Sequence, residues 1–332
     1  MLRGFWGFDH EAVAQQVIDT NPGATGFFTF HALTPYSEGQ AVCFSNFGLF
    51  LRLEYDQQGK WIVGYHMYPG VPTGQKYLVR LWDGATEQLR LEYNTSGRLE
   101  VCLGSGAILA TSAQQYWDPL YYHIEFRATI HHTAGAYAVR VNNRLIPELC
   151  ATGVDTQVSA NASANAVQVG TGNSMLFDNL YVCDGSGASF NDFLGERRVI
   201  ACRPNAAGTY TQWTPKAGAN YTQVDDPQAD DETSYVSSLV VGNKDSFPLA
   251  ALGVDSGAID AVNRNIRARK DDVDQREIAM LTRQDSTDYE GSNIELLAGY
   301  KNFREQLLTC PDATAWTREN FAAMEWGYIQ KV

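Results

Sequence analysis

The sequence predicts an all-β protein, and three observations support this fold class. Apolar and polar residues alternate with a period of two in many segments between Gly26 and Cys183, and turn residues bound each segment. Aromatic residues make up 12% of the chain, which suits the half-buried surface of a sheet. Helical patterns do not separate these segments, so a βαβ fold is excluded and an antiparallel sandwich or barrel remains.

The N-terminal part of the chain is predicted to hold a succession of short strands. A single short helix is expected before them, over residues 11–18. The turn Asp83-Gly84 predicts a tight hairpin between two of the strands. The predicted strands cover residues 26–33, 42–44, 49–55, 61–67, 77–82, 88–93, 98–103, 121–130, 137–141, 144–146, 167–170 and 176–183.

A second, less regular β-rich module is predicted for the rest of the chain. A length of 332 residues favours about two domains. The small, polar stretch 184–193 marks the boundary, so the predicted domains are residues 1–193 and 194–332. Later segments with enough apolar residues for strands are 234–241, 259–269, 276–282 and 321–329, of which 259–269 has a spacing that also fits a helix.

Charge and composition exclude several classes of protein. The net charge of −13 repels phosphate backbones, so nucleic acid is not an expected partner. The sequence contains no basic stretch followed by an apolar run at its start and no run of about 18 apolar residues, so neither an export signal nor a membrane span is expected. The 6 cysteines are widely spaced without CxxC pairs, which favours buried, reduced thiols.

Four segments resemble the closing strands of a concanavalin A-like, laminin G-like jelly roll. They are residues 117–127 (WDPLYYHIEFR), 137–143 (YAVRVNN), 167–170 (VQVG) and 177–182 (FDNLYV). The resemblance implies that residues 1–193 form such a jelly-roll sandwich, which the β-rich module follows.

The chain as a whole also resembles structural proteins of tailed-phage virions. The phrases that carry this likeness are residues 177–187 (FDNLYVCDGSG), 197–205 (RRVIACRPN), 220–226 (NYTQVDD) and 230–236 (DDETSYV). The resemblance implies a head decoration, tail or fibre protein that is made in the host cytoplasm and located in the virion. Its implied partners are other capsid or tail subunits, and a symmetric homo-oligomer is expected.

A glycoside hydrolase is the sharpest enzymatic alternative, because jelly rolls of this class host enzymes with two carboxylates about 5 to 10 Å apart. Glu54 and Asp56 lie two residues apart on one predicted strand and so share a face. The resembling enzymes carry a Glu-x-Asp-x-Glu pattern, and the third acid is missing here. We therefore interpret this pair as a solvent-facing strand end, and we expect no catalytic residue and no enzyme.

Metal binding is also not expected. His131 and His132 are adjacent, so on a strand they would point to opposite sides. The acid-rich loop 225–232 offers oxygen ligands for Ca²⁺, but it lacks the EF-hand pattern. The sequence therefore predicts neither a metal nor a cofactor.

A carbohydrate-binding, lectin-like module is the main alternative function, with a host-surface glycan as its ligand. An aromatic ring can pack on the apolar side of a sugar, and tryptophans inside predicted strands are better explained as core residues. Trp213 and Trp316 lie in predicted loops. They are the candidates for a contact with a glycan or with a protein partner.

Overall fold

The computed structural model of the protein describes residues 1–36, 39–45, 48–70, 74–170, 175–254 and 256–332. The chain divides into two compact units. One, which we call the jelly-roll unit, comprises Met1–Asp9 and Val13–Val199, and the other, the C-terminal unit, comprises His10–Ala12 and Ile200–Val332. Across the described ranges no helix combines the length and the apolar character needed to cross a membrane.

The jelly-roll unit consists almost entirely of antiparallel strands. Its one described helix is α1 (Ala14–Ile18). Its described strands are β1 (Leu2–Trp6), β2 (Thr25–Phe27), β3 (Thr29–His31), β4 (Ala41–Phe44), β5 (Phe50–Gln58), β6 (Lys60–Tyr68), β7 (Lys76–Asp83), β8 (Thr86–Tyr93), β9 (Arg98–Leu103), β10 (Ile108–Gln115), β11 (Tyr122–Thr129), β12 (Gly135–Val141), β13 (Arg144–Val154), β14 (Ala164–Val169) and β15 (Met175–Asp184).

These strands form two sheets that face each other. The described strands of the first sheet follow the order β13-β12-β11-β6-β15-β4-β3, with β1 beside β15. Those of the second follow the order β10-β9-β8-β7-β14-β5-β2. Many neighbours in space are far apart in sequence, as expected for a jelly-roll sandwich. The all-β, jelly-roll fold class predicted from the sequence is confirmed.

Alternate residues of both sheets point into one shared core. Leu51 and Leu53 of β5 and Val63 and Tyr65 of β6 belong to this core and are fully buried. Burying an apolar side chain of this size contributes about 1.5–3 kcal/mol. The choice of which alternate residues of a strand face the core, which we call its parity, is therefore strongly fixed. The residues between them therefore face outward, and these residues carry the chemistry described below.

The C-terminal unit has smaller sheets and its own core. A four-stranded sheet has the order β18-β23-β20-β21, and two two-stranded sheets pair β19 with β22 and β16 with β17. A second apolar cluster contains Trp316, Phe321 and Trp326. The described elements are β16 (Thr214–Pro215), a 3₁₀ helix (Asn220–Gln223), β17 (Val236–Ser237), β18 (Lys244–Pro248), β19 (Val262–Ala268), β20 (Glu277–Gln284), β21 (Thr287–Glu295), β22 (Lys301–Leu307), α2 (Arg318–Ala323) and β23 (Glu325–Gln330).

Two predicted strands of the C-terminal unit differ from the structure. The segment 321–329 begins inside α2, because the Thr317 side chain accepts a hydrogen bond from the Asn320 amide and the Asn320 side chain bonds back in a capping box. The segment 234–241 contains β17 alone, and Leu239, Val240 and Val241 beyond it are exposed. A run of apolar residues does not form a strand where no neighbouring strand pairs with it.

Candidate functional site

The outward face of the second sheet carries a row of polar side chains that are in register across five adjacent strands. Directly paired positions are Arg52 with Gln168, Gln168 with Arg80, Arg80 with Arg90, and Arg90 with Cys102. We call these five residues the arginine row. Neighbouring strands lie about 4.8 Å apart, so the row forms a continuous polar band across the sheet.

Aromatic rings beside the row hold the guanidinium groups in place. The guanidinium carbon of Arg80 lies 4.4 Å from the ring centroid of Trp82 and 4.7 Å from that of Tyr77. Arg52 lies 5.2 Å from the Trp82 ring, and Arg90 lies 5.5 Å from the Tyr77 ring. Contacts of this kind contribute about 0.5–2 kcal/mol each, and they fix the plane of each guanidinium.

Carboxylates balance the positive charge of the row. Arg80 donates through Nε to Glu87 at 3.0 Å, and Arg90 donates through Nη1 to the other oxygen of Glu87 at 3.4 Å. Arg90 also pairs with Glu92. These shared carboxylates explain how Arg80 and Arg90 can lie directly opposite each other, which would otherwise be destabilising.

Two phenylalanines extend the same face to the edge of the second sheet. Phe27 of β2 is directly paired with Phe50 of β5, and their ring centroids are 6.4 Å apart. Phe50 and Arg52 are two residues apart on β5, so they project from the same face. Phe27 is 66% exposed, which is unusual for a large aromatic side chain. The arginine row therefore ends beside an exposed aromatic surface.

One group of side chains on this face has the composition of a metal site. Ligand atoms of Glu92, Glu100 and Cys102 lie within 4.8 Å of one another, and all three residues are buried. Their atoms already have protein partners, however: the Cys102 thiol lies 3.6 Å from Glu92, and Asn94 donates to Glu100 at 2.8 Å. Burial raises the pKa of Cys102 to about 12, so the thiol is protonated within this network. These contacts favour a structural network.

The structure brings one of the two predicted carboxylates to this face. Glu54 follows Arg52 on β5 and accepts a hydrogen bond from its Nε at 2.6 Å. Asp56 pairs instead with Arg3 and is exposed. Glu54 therefore acts as a counterion of the arginine row, and the two acids do not converge on one reactive position.

The adjacent histidines and the acidic loop are also engaged elsewhere. His131 Nδ1 accepts a hydrogen bond from the Thr133 amide at 3.0 Å, and His132 pairs with Asp155 at 3.0 Å. In the acidic loop, Asp231 pairs with Arg267 and Glu232 with Arg269. These carboxylates of the C-terminal unit therefore stabilise local structure through ion pairs.

The two predicted contact tryptophans lie in different environments. Trp213 is half-buried, its Nε1 donates to the Asn243 carbonyl at 3.1 Å, and its ring packs edge-on against Tyr328. Trp316 is 6% exposed and stacks on Trp326 with ring centroids 6.0 Å apart. A partner contact through Trp213 stays a prediction. For Trp316 such a contact would require the core of the C-terminal unit to open.

Sequence reasoning missed the residues that form the face. They are Phe27, Arg52, Arg80, Arg90 and Gln168. The segments LFLRLEY, YLVRLW and QLRLEY each place an arginine between core leucines or valines, so an outward arginine on each strand could have been read from parity. Their alignment depends on β14 lying between β5 and β7, which parity does not reveal.

No family model and no curated protein matches this sequence. Solved structures do match at low identity. Trypanosoma rangeli sialidase is 13% identical, with a TM-score of 0.37 over 55% of this chain and 30% of the sialidase. Domain 4 of AbnA, a GH43 extracellular arabinanase from Geobacillus stearothermophilus, was solved in complex with arabinotriose. It is 13% identical, with a TM-score of 0.39 over 55% of this chain and 92% of that domain.

Alginate lyase AlgAT5 from polysaccharide lyase family 7 is 14% identical, with a TM-score of 0.34 over 46% of this chain and 81% of the lyase. The chain spans less than a third of the length of the sialidase that it matches. These similarities concern the fold. The expectation that this chain is not an enzyme is contradicted and is withdrawn, because the sialidase, the arabinanase domain and the alginate lyase are enzymes or parts of enzymes; the similarity assigns no activity to this chain.

Proposed function

We propose that the jelly-roll unit binds carbohydrate on the outward face of its second sheet. The observation that carries this proposal is the register of the arginine row beside the exposed ring of Phe27. Sugars present hydroxyl groups that donate and accept hydrogen bonds, together with an apolar C–H surface. A face of this kind supplies a counterpart for each of these groups.

The polar groups of the face are suited to hydroxyl recognition. The guanidinium groups of Arg52 and Arg80, whose side chains are 18% and 20% exposed, offer N–H donors in a fixed plane, and the carboxylates beside them accept hydrogen bonds. The other three members of the row are buried. Because the ion pairs Arg80–Glu87 and Arg52–Glu54 hold these side chains in place, little side-chain entropy is lost on binding. The exposed ring of Phe27 is the part of the face on which a sugar ring can stack.

The proposal predicts a measurable loss of affinity when either part of the face is removed. The wild-type chain is screened on a glycan array and then titrated calorimetrically with its best ligand, with arabinotriose, sialyllactose and an alginate oligosaccharide as defined probes. Phe27→Ala and Arg80→Gln are each expected to weaken binding about tenfold, which corresponds to about 1.4 kcal/mol. Loss of a stacking surface explains the first effect and loss of N–H donors the second.

The matched control for Phe27 is Leu120→Ala, because Leu120 is a comparably exposed apolar residue at 64% and lies outside the second sheet. This variant is expected to bind like the wild type. Thermal unfolding of each variant separates lost binding from lost folding. Absence of sugar binding by the wild-type chain, or equal binding by all variants, would contradict the proposal.

We further propose that this binding takes place on a tailed-phage particle. Support for this location comes from the sequence phrases at 177–187 and 197–205. A virion subunit that recognises host glycans would be both a structural part of the particle and a carbohydrate-binding protein. Immunogold labelling of the parent particles with an antibody against this chain tests the location, and unlabelled intact particles would reject it without affecting the sugar-binding assay.

A further inference from the structure

A second cluster of titratable side chains lies on the outward face of the first sheet, opposite the proposed binding face. Asp178 of β15 is directly paired with His66 of β6, which is directly paired with His123 of β11. The two imidazole ring centroids are 5.1 Å apart. Both histidines are 3% exposed and Asp178 is 4% exposed. Buried ionisable groups in one cross-strand row are costly and call for an explanation.

Residues 190–199, which we call the strap, cover this face. The guanidinium carbons of Arg127 and Arg140 lie 4.8 and 4.4 Å from the centroid of the Phe193 ring. The Gly195 amide donates to Glu125 Oε1 at 2.8 Å. The strap therefore explains why β6, at the centre of the first sheet, is buried on both of its faces.

Glu196 joins the strap to the histidine pair. Its Oε1 accepts a hydrogen bond from the Tyr36 hydroxyl at 2.9 Å and lies 3.2 Å from Nε2 of His66. Tyr36 Oη and His66 Nε2 are also 3.2 Å apart. These three polar atoms form a closed triangle. Its carboxylate belongs to the strap, whereas its imidazole belongs to the sheet.

In both imidazoles the ring nitrogen Nδ1 lacks a hydrogen-bond partner among the described residues. Within the part of the chain that the structure describes, Nδ1 of His66 and Nδ1 of His123 are buried and make no hydrogen bond. An unprotonated Nδ1 can be buried in this way because it has no hydrogen to donate. A protonated one would be a buried donor without an acceptor, and two protonated rings would place two positive charges close together.

The charges around the pair add to this cost. Arg140 from β12 and Arg197 from the strap oppose protonation of His123, and Glu196 favours protonation of both rings. Arg198 of the strap lies over the Tyr36 ring at 4.8 Å. Titratable and charged groups near Asp178 include Asp9, Tyr121, Tyr36 and Arg198, and Glu125 lies two residues from His123 on β11. Glu196 is thus the carboxylate in direct contact with the pair among the described residues.

We propose that the strap is an acid-released latch, closed over the first sheet while His66 and His123 are neutral and opened when they take up protons. Opening would uncover Glu125 and Tyr181, whose hydroxyl donates to Glu125 beneath the strap. It would also loosen the segment through which the chain continues into the C-terminal unit.

The direction of the pH dependence follows from the pKa values of the cluster. Burial, aided by the charge of His66, lowers the pKa of His123 to about 4, and burial lowers that of His66. Stability contributed by a neutral imidazole is full above its ordinary pKa of 6.5 and is lost as the pH falls below it. Burial raises the pKa of Asp178 to about 8, and this carboxyl acts in the opposite direction. Well below the ordinary imidazole pKa, the two imidazoles of the opened strap take up more protons than the carboxyl releases, so opening is coupled to a net uptake of protons there.

Amide hydrogen exchange of the full chain, followed by mass spectrometry, tests this inference. As the pH falls from about 6 to about 4.5, the opening constant of strap peptides is expected to rise, by less than about tenfold per pH unit, after correction for intrinsic exchange. The double variant His66→Asn, His123→Asn is expected to lose this rise and, because Asp178 remains, to open less often as the pH falls. His132→Asn, at an exposed histidine, is the matched control and is expected to keep the rise.

A further variant keeps the inference testable if the double variant does not fold. Glu196→Gln removes the carboxylate and leaves the sheet intact, so its strap is expected to open about tenfold more often near pH 6.5, the effect of losing about 1.4 kcal/mol. Strap protection that does not change with pH in the wild-type chain would overturn the proposal. So would an unchanged pH dependence in the double variant.

Discussion

Gly64→Ala is expected to lower the free energy of unfolding of the jelly-roll unit by about 3 kcal/mol. Gly64 lies in the middle of β6, and the Tyr181 ring from neighbouring β15 lies across its Cα. A methyl group at this position would overlap the ring carbons and the hydroxyl of Tyr181 far inside van der Waals contact. The ring would have to move, and the hydrogen bond that it donates to buried Glu125 would be lost.

Urea unfolding of the full chain, followed by near-ultraviolet circular dichroism, measures this effect. Gly299→Ala is the matched control, because a methyl group there meets nothing within 4 Å and its backbone conformation suits any residue. The control is expected to change stability by less than about 0.5 kcal/mol. A Gly64→Ala chain as stable as the control would show that the Tyr181 ring has room to move.

Gln88→Leu is expected to cost about 3 kcal/mol, through a different mechanism. The Gln88 side chain is fully buried, and its Oε1 accepts hydrogen bonds from the amides of Val158 and Ser159 at 2.6 and 3.0 Å. Its Nε2 donates to the carbonyls of Asn161 and Ser163, both at 2.9 Å. Leucine has a similar volume but satisfies none of these groups, so residues 158–163 would lose their anchor to β8.

Two measurements separate this mechanism from a general loss of stability. Urea unfolding gives the size of the effect, and hydrogen exchange should show the loss of protection in residues 158–163 first. Gln114→Leu, at an exposed position of β10, is the matched control and should leave both unchanged. Equal protection of residues 158–163 in the Gln88→Leu and wild-type chains would contradict the anchoring role.

The fold class could be predicted from the sequence because the period-two pattern is strong in the jelly-roll unit. The segments YLVRLW and QLRLEY with Asp83-Gly84 between them form the hairpin β7–β8, as predicted. The order of strands could not be predicted in this way. The pairing of β6 with β15 joins Val63 to Val182, and nothing local in either segment selects that partner.

The candidate site depends on the strand order and was therefore harder to predict. Arg52, Arg80 and Arg90 each look like an ordinary outward residue of an amphipathic strand. They become one surface only because Gln168 of β14 pairs with both Arg52 and Arg80. The sequence pattern pointed to Trp316 in a predicted loop as a contact residue, whereas the structure buries this side chain. The strand register, which the sequence pattern does not reveal, places Phe27 and the arginine row on one face.

The pairing of β1 with β15 has a consequence for synthesis of the chain. Leu2 is paired with Cys183, so the first strand leaves the ribosome long before its partner. At about 5 to 20 residues per second, this delay lasts roughly ten seconds or more. Throughout that time the nascent chain holds an unpaired first strand, and after residues 60–68 have been made it also holds the edge of β6 that pairs with β15. Cotranslational folding of the first sheet must therefore end late, and chaperones that shield extended segments would have their longest opportunity to act before β15 emerges.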